Sequence, residues 1–297
     1  PNGATFVESK APEKLIKVTR PTDADVDGMS AVYQASWKGP ATFRWEGANQ
    51  GYIVRVTPKG YTPQPLPDFE TLNDLELVDQ LTSPSHVRRL TAQRTILRRK
   101  ATPEMTEALV SLAGNVERDL DSRIAALFAI SQRGSATLES TKAVVDSDPT
   151  WFEENSYVFA AIESIYNSPG MQSHALRAIG DLETYHFDLH HSERGEIVAN
   201  ALSSDDSVVR REAILAATAH KLRGYSLQVA QLCGDPDRIV AHTAFQSVAK
   251  LGIRVAAFEV LDSPESTSAQ INGTALGLMR IHHPDVVEGA ISRLSSE

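Results

Sequence analysis

The stretch DADVDG at 23–28 places three carboxylates, Asp23, Asp25 and Asp27, at alternate positions before a glycine. A calcium loop of the EF-hand type begins in this way. Its twelfth position, which needs a bidentate glutamate, holds the neutral Gln34. We therefore expect a strand that ends in an Asp/Gly turn, and calcium binding by the three aspartates is the alternative.

A histidine cluster, YHFDLHHSE at 185–193, offers side chains of the type that bind zinc and other transition metals. His186 and His190 share a face only if the segment is helical. Because the cluster lies in an irregular interval of the chain, we expect a solvated loop, with a metal site at these two histidines as the alternative.

A basic run, HVRRLTAQRTILRRK at 86–100, carries six Lys and Arg residues and no acidic one. We expect a helix whose arginine stems pack on neighbours while the charged ends meet solvent. The alternative is a surface for an anionic partner. Its candidate residues are Arg88, Arg89, Arg94, Arg98 and Arg99.

Catalytic motifs are absent from the sequence. No Ser/His/Asp order, phosphate loop or paired-carboxylate spacing stands out, so we predict no catalytic residue. Cys233 is the single cysteine, which excludes an intrachain disulfide framework and the C-x-x-C-H haem attachment motif. We expect a small buried residue there rather than a nucleophile.

Charge and hydropathy narrow the function classes. The 297 residues include 38 acidic and 29 basic side chains, and the net charge of -9 argues against a general nucleic-acid binder. No apolar stretch in the sequence is long enough to span a bilayer.

The chain changes character near residue 61. Residues 1–60 hold the strand-like runs, and we interpret them as a small antiparallel meander. A proline-rich connector follows at 61–70, and from 71 to 297 the pattern is helical. The four strand-like runs are KLIKV (14–18), AVYQASW (31–37), ATFRW (41–45) and YIVRV (52–56).

The helical part repeats with a period of about 31 to 34 residues. The segments 80–97, 201–218, 231–248 and 260–279 share a leucine, a polar turn and a helix with an inward alanine. Such a period predicts a solenoid of antiparallel helix pairs, interrupted by an insertion near 183–193. The expected inward alanines are Ala92, Ala126, Ala160, Ala213, Ala244 and Ala275.

Five pairs of a polar residue and proline mark expected helix starts, because the polar side chain can cap backbone N–H groups while proline fills the first helical position. The pairs are Thr102-Pro103, Asp148-Pro149, Ser168-Pro169, Asp235-Pro236 and Ser263-Pro264. Since the chain begins with Pro1 and stops within a repeat, we expect a piece of a larger polypeptide.

The short period and the VRR..A signature resemble HEAT repeats. The run RPTDADVDG…VYQASW…GYIVRVTPKGYTPQPLPDF, followed by LNDLELVDQLTSPSHVRRLTAQRTILRR, resembles bacterial multidomain proteins of the membrane-bound dehydrogenase-like or haem-binding type. In those, a β-propeller similar to sorbosone and glucose dehydrogenases leads into HEAT repeats and a cytochrome c domain.

The resemblance implies that residues 1–60 are a last propeller blade, and that the protein is periplasmic or extracellular. Cysteine content alone fits a cytoplasmic location equally well. Haem c or quinone would belong to a parent protein, and this chain is expected to hold neither. We expect a non-catalytic HEAT scaffold for protein partners or other domains. The alternative is a fragment of a quinone- or haem-linked sugar or alcohol dehydrogenase.

Overall fold

The computed structural model describes residues 16–37, 51–100, 102–139, 151–182 and 193–294. Helices make up 62% of the structure, well above the roughly one third of an ordinary globular protein. A small three-stranded antiparallel sheet precedes them. These observations confirm the predicted mainly helical class with a small β region before it.

The sheet has the order β1-β2-β3, formed by Pro21–Val26, Val32–Trp37 and Gly51–Val56. The expected strand that ends in an Asp/Gly turn is confirmed, since β1 ends at Val26, directly before Asp27 and Gly28, and pairs with β2. The described part of the predicted run at 14–18 is not a strand. The predicted run at 41–45 lies outside the described residues.

The helices of the described residues follow the sheet in chain order. They are α1 Asp74–Asp79, α2 His86–Arg98, α3 Pro103–Gly114, α4 Leu120–Glu139, α5 Trp151–Tyr166, α6 Gln172–Asp181, α7 Glu193–Ala201, α8 Ser207–Ala219, α9 Ser226–Gln231, α10 Arg238–Leu251, α11 Val255–Asp262, α12 Ser268–Leu278 and α13 Pro284–Leu294.

The described residues form two compact units, one that ends at Ala129 and one that begins at Ile130. In the first, α1 contacts both α2 and α3, and Leu77, Ile96 and Met105 are fully buried. This unit therefore has an apolar core of its own.

In the second unit, consecutive helices contact each other in the pairs α5 with α6, α7 with α8, α9 with α10 and α11 with α12. The second helices of these pairs also form a row, because α6 contacts α8, α8 contacts α10, and α10 contacts α12. This pattern agrees with helix-pair repeats. That the pairs build a solenoid of the HEAT type stays a prediction.

The helix start predicted at Thr102-Pro103 is correct. There the Thr102 side chain accepts a hydrogen bond from the backbone N–H of Met105, and α3 begins at Pro103. Three others are wrong by two to four residues, since α6, α10 and α12 begin after the predicted prolines. Asp237 caps α10 instead, and Thr267 caps α12. The prolines therefore lie in the preceding turns. The pair at 148–149 lies outside the described residues.

Four of the expected inward alanines are fully buried: Ala92, Ala126, Ala213 and Ala244. The assignments of Ala160 and Ala275 are wrong, since Ala160 is exposed on α5 and Ala275 is only half-buried on α12. α5 is the first helix of its pair. The buried small residues of the second helix, α6, are Ala175 and Ala178.

Candidate interaction surfaces

The aspartate-rich turn is held by its own carboxylates. Asp27 Oδ1 accepts hydrogen bonds from the backbone N–H groups of Met29 and Ala31, each at 2.9 Å. Its Oδ2 accepts one from the Tyr33 hydroxyl at 3.2 Å. The bond from Ala31 is the largest influence that lowers the pKa of Asp27, so this carboxylate stabilises the turn in its ionised form.

Asp23 and Asp25 lie on β1, where each accepts a bond from the backbone N–H of the following residue, Ala24 or Val26. Within the described ranges, no group of three or more His, Cys, Asp or Glu side chains is placed to hold a metal ion. His186 and His190 lie outside those ranges. Metal binding at either predicted site stays a prediction.

The basic run forms α2, and its arginines bind the chain itself. The Arg88 guanidinium donates to the carbonyl oxygens of Gly28 at 2.7 Å, Gln64 at 2.5 Å and Pro65 at 3.1 Å. It therefore ties the turn of the sheet and the proline-rich connector to α2. Gly28 also lies against Leu66, where an added Cβ would come within 2.5 Å.

Arg99 and Arg98 hold the start of the helical region. Arg99 donates to the carbonyl oxygens of Phe69 and Glu70 and pairs with Asp74 at 3.3 Å. Arg98 pairs with Glu70 at 2.7 Å. Arg94 is exposed. These contacts favour the packing interpretation of the run, and an anionic partner for it stays a prediction.

An arginine at one position of the repeat makes the same two kinds of contact twice. Arg89 donates to the carbonyl oxygen of Ser83, six residues earlier, and to the carboxylate of Asp121. Arg210, at the matching position, donates to the carbonyl oxygen of Ser204, again six residues earlier, and to the carboxylate of Asp235. In these two segments, the arginine therefore links its own turn to a helix or turn that follows; the matching residues of the segments 231–248 and 260–279 are Val240 and Ala269.

The second of these links is the more deeply buried. Both Asp235 oxygens accept from Arg210, at 2.7 and 2.9 Å, and the aspartate side chain is only 3% exposed. Such a two-bond arginine–carboxylate pair fixes the geometry of both side chains. It joins α8 to the turn before α10.

An open groove of about 430 Å³ crosses α6, α8 and α10 in the second unit. Its apolar floor comes mainly from Leu176, Leu215 and Ala219, and Leu215 is 37% exposed. The sequence reasoning missed this feature because no motif marks it. The available signal was the run of exposed polar residues at helical spacing on α10, namely His242, Gln246 and Lys250.

Cys233 lies between α9 and α10 in the chain and is buried, with 3% of its surface exposed, as expected from the sequence. Burial raises the pKa of its thiol to about 12, so the reactive thiolate is rare at neutral pH. A covalent catalytic role for this cysteine has no support in its surroundings.

No protein-family model matches the chain, and no curated protein sequence matches it. Among solved structures, the crystal structure of an engineered protein is similar over 73% of this chain and 98% of its own, at 19% sequence identity and a TM-score of 0.42. A likeness at that level carries no argument about function. The described residues also contain no helix that is both long and apolar enough to cross a membrane.

Proposed function

We propose that this chain is a non-catalytic helical-repeat scaffold of the HEAT type, which holds protein partners on the second helices of its pairs. The groove across α6, α8 and α10 carries this proposal, because three stacked helices together present an accessible surface with an apolar floor and polar rims. Extended surfaces of this kind are what helix-pair repeats use to bind proteins.

The buried arginine link supports the same proposal. Arg210 holds Asp235, in the turn before α10, through two hydrogen bonds, so side-chain geometry as well as apolar contact fixes the spacing of α8 and α10. A surface assembled from several helices needs this kind of rigidity if it is to present a constant shape.

Site-specific photo-crosslinking in cells of the native host tests the proposal. A photoreactive amino acid at Gln246, on the rim of the groove, is compared with the same amino acid at Gln228, which is exposed on α9. We expect a protein adduct from position 246, none from 228, and loss of the adduct when Leu215→Arg fills the floor.

Equal adducts from both positions would contradict the proposal, as would adducts that Leu215→Arg leaves unchanged. An absorption spectrum of bound haem or quinone in the purified chain would instead favour a part of a redox enzyme.

A further inference from the structure

The charged groups that line the groove differ in whether they already have partners. On α6, Arg177 pairs with Asp181 at 3.1 Å, and both side chains are about half exposed. These two neutralise each other. They therefore give this rim little preference for a charged ligand.

Glu212 lies in the lining on α8, but its side chain is only 5% exposed. Its Oε1 accepts from the neighbouring Arg211, whereas its Oε2 has no hydrogen-bond partner among the described residues. Because this carboxylate is buried and already paired with Arg211, it offers no accessible negative charge to a ligand in the groove.

The α10 rim is different, because its charge is accessible. His242, Gln246 and Lys250 are exposed and follow one another at four-residue spacing, which places them on one face over about 12 Å of helix. Lys250 takes part in no ion pair of the described residues. The accessible, uncompensated charge of the groove is therefore positive.

A second cation lies next to this rim. The ring of Phe245 contacts His242 edge to face, with centroids 4.7 Å apart, and the Arg280 guanidinium lies over the same ring at 4.7 Å. The cationic edge thus continues from α10 toward α12. It stands out in a chain whose net charge is -9.

We propose that the partner of this groove is an extended polypeptide segment with an Asp or Glu side chain that pairs with Lys250 and an apolar side chain that packs on Leu215. An extended segment has free backbone N–H and C=O groups, and the Gln246 amide can donate to one and accept from the other. The Thr243 hydroxyl already donates to the carbonyl oxygen of Ile239 at 2.7 Å, so it is left to accept from an N–H. A helical segment offers such groups only at its two ends. This inference rests on the proposed scaffold function and specifies the partner.

Selection of a random-sequence peptide library on the full chain, followed by fluorescence anisotropy, tests the inference. We expect the selected peptides to combine acidic and apolar residues and to bind more weakly as salt is added. Lys250→Glu should weaken them about tenfold, because it removes an attraction and adds a repulsion. Lys59→Glu, the same charge change at an exposed site in the other unit, should leave binding unchanged.

Two variants locate the peptides. Leu215→Gln, which removes the apolar contact without adding charge, and Gln246→Ala should each weaken binding if the peptides occupy the groove. Basic or uncharged peptides that both variants weaken would overturn this inference and leave the scaffold function in place, with the carboxylates of α6 and α8 as the selective groups. No enrichment, or peptides that neither variant affects, would overturn the scaffold function as well.

Discussion

At the scale of single residues, the charged side chains of this protein mainly serve its own backbone. Arg88 and Arg99 donate to carbonyl oxygens of the connector and the turn of the sheet, and Asp27 accepts from two backbone N–H groups. Hydrogen bonds between charged and backbone groups are stronger than those between neutral ones. The charged residues that suggested a ligand site in the sequence thus hold the backbone of the connector and of the turn in place.

We expect Asp27→Ala to lower the melting temperature at neutral pH, whereas Asp25→Ala, which loses only a bond to the next residue, should change it little. The pKa of Asp27 is lowered in the folded protein, so its stabilisation is complete above the unfolded value of about 3.9 and is lost as the pH falls through the folded value. Thermal unfolding from pH 6 to pH 2.5 should show that the melting temperatures of Asp27→Ala and of the unchanged protein converge in acid.

Calcium offers a separate check on the same turn. Because both Asp27 oxygens already accept hydrogen bonds, excess calcium should leave the melting temperature unchanged. A rise that Asp25→Asn abolishes would contradict this account of the turn and make it a metal site.

The buried pair of Arg210 and Asp235 should be more important to stability than any exposed pair. Arg210→Met leaves a carboxylate that is 3% exposed without its cation, and we expect a loss of about 3 kcal/mol in the free energy of unfolding. The matched Arg177→Met breaks a half-exposed pair and should cost about 0.5 kcal/mol or less. Urea unfolding measures both, and equal losses would show that the Arg210 link is not structural.

At the scale of elements, helix identity was predictable while helix boundaries and faces were less so. The polar–proline pair at Thr102-Pro103 predicted a real start because Thr102 is the capping side chain. The pair at Asp235-Pro236 failed because Asp235 binds Arg210 and leaves the cap to Asp237. Local sequence does not show that Asp235 pairs with an arginine 25 residues earlier in the chain, so it could not show that Asp237 would be the cap.

The small residues test the register of the helix pairs. Ala213→Leu or Ala244→Leu should destabilise the fold by about 1–3 kcal/mol, because both positions are fully buried. Ala160→Leu is the control, since this alanine is exposed on α5 and the change should stay within about 0.5 kcal/mol. Urea unfolding measures all three variants. If Ala160→Leu caused the largest loss of stability, Ala160 would be buried as the repeat alignment predicted, which would contradict the structure.

The groove shows why a site can escape sequence reasoning. Leu215 and Lys250 lie on different helices, and neither belongs to a motif. Only the contacts of α6 with α8 and of α8 with α10 bring their faces together. The amphipathic pattern predicts that each helix has a buried and an exposed side, but it does not say which exposed sides become neighbours.

At the scale of the whole molecule, the sequence correctly indicated a mainly helical protein with a small sheet before the helices. Each of the two compact units has buried apolar residues of its own. The HEAT assignment, the propeller origin of the sheet and the redox parent depend on resemblance and stay predictions. The function proposed here depends instead on the row of second helices and the groove across it.

Hydrogen exchange of the full chain with and without a selected peptide tests that central claim most directly. The account predicts added protection in 172–181, 207–219 and 238–251, the segments that form the groove, and none in α9 or the sheet. Protection centred on residues 16–37 and 86–100 would contradict it, because the partner would then bind the sheet and the arginine-rich helix instead.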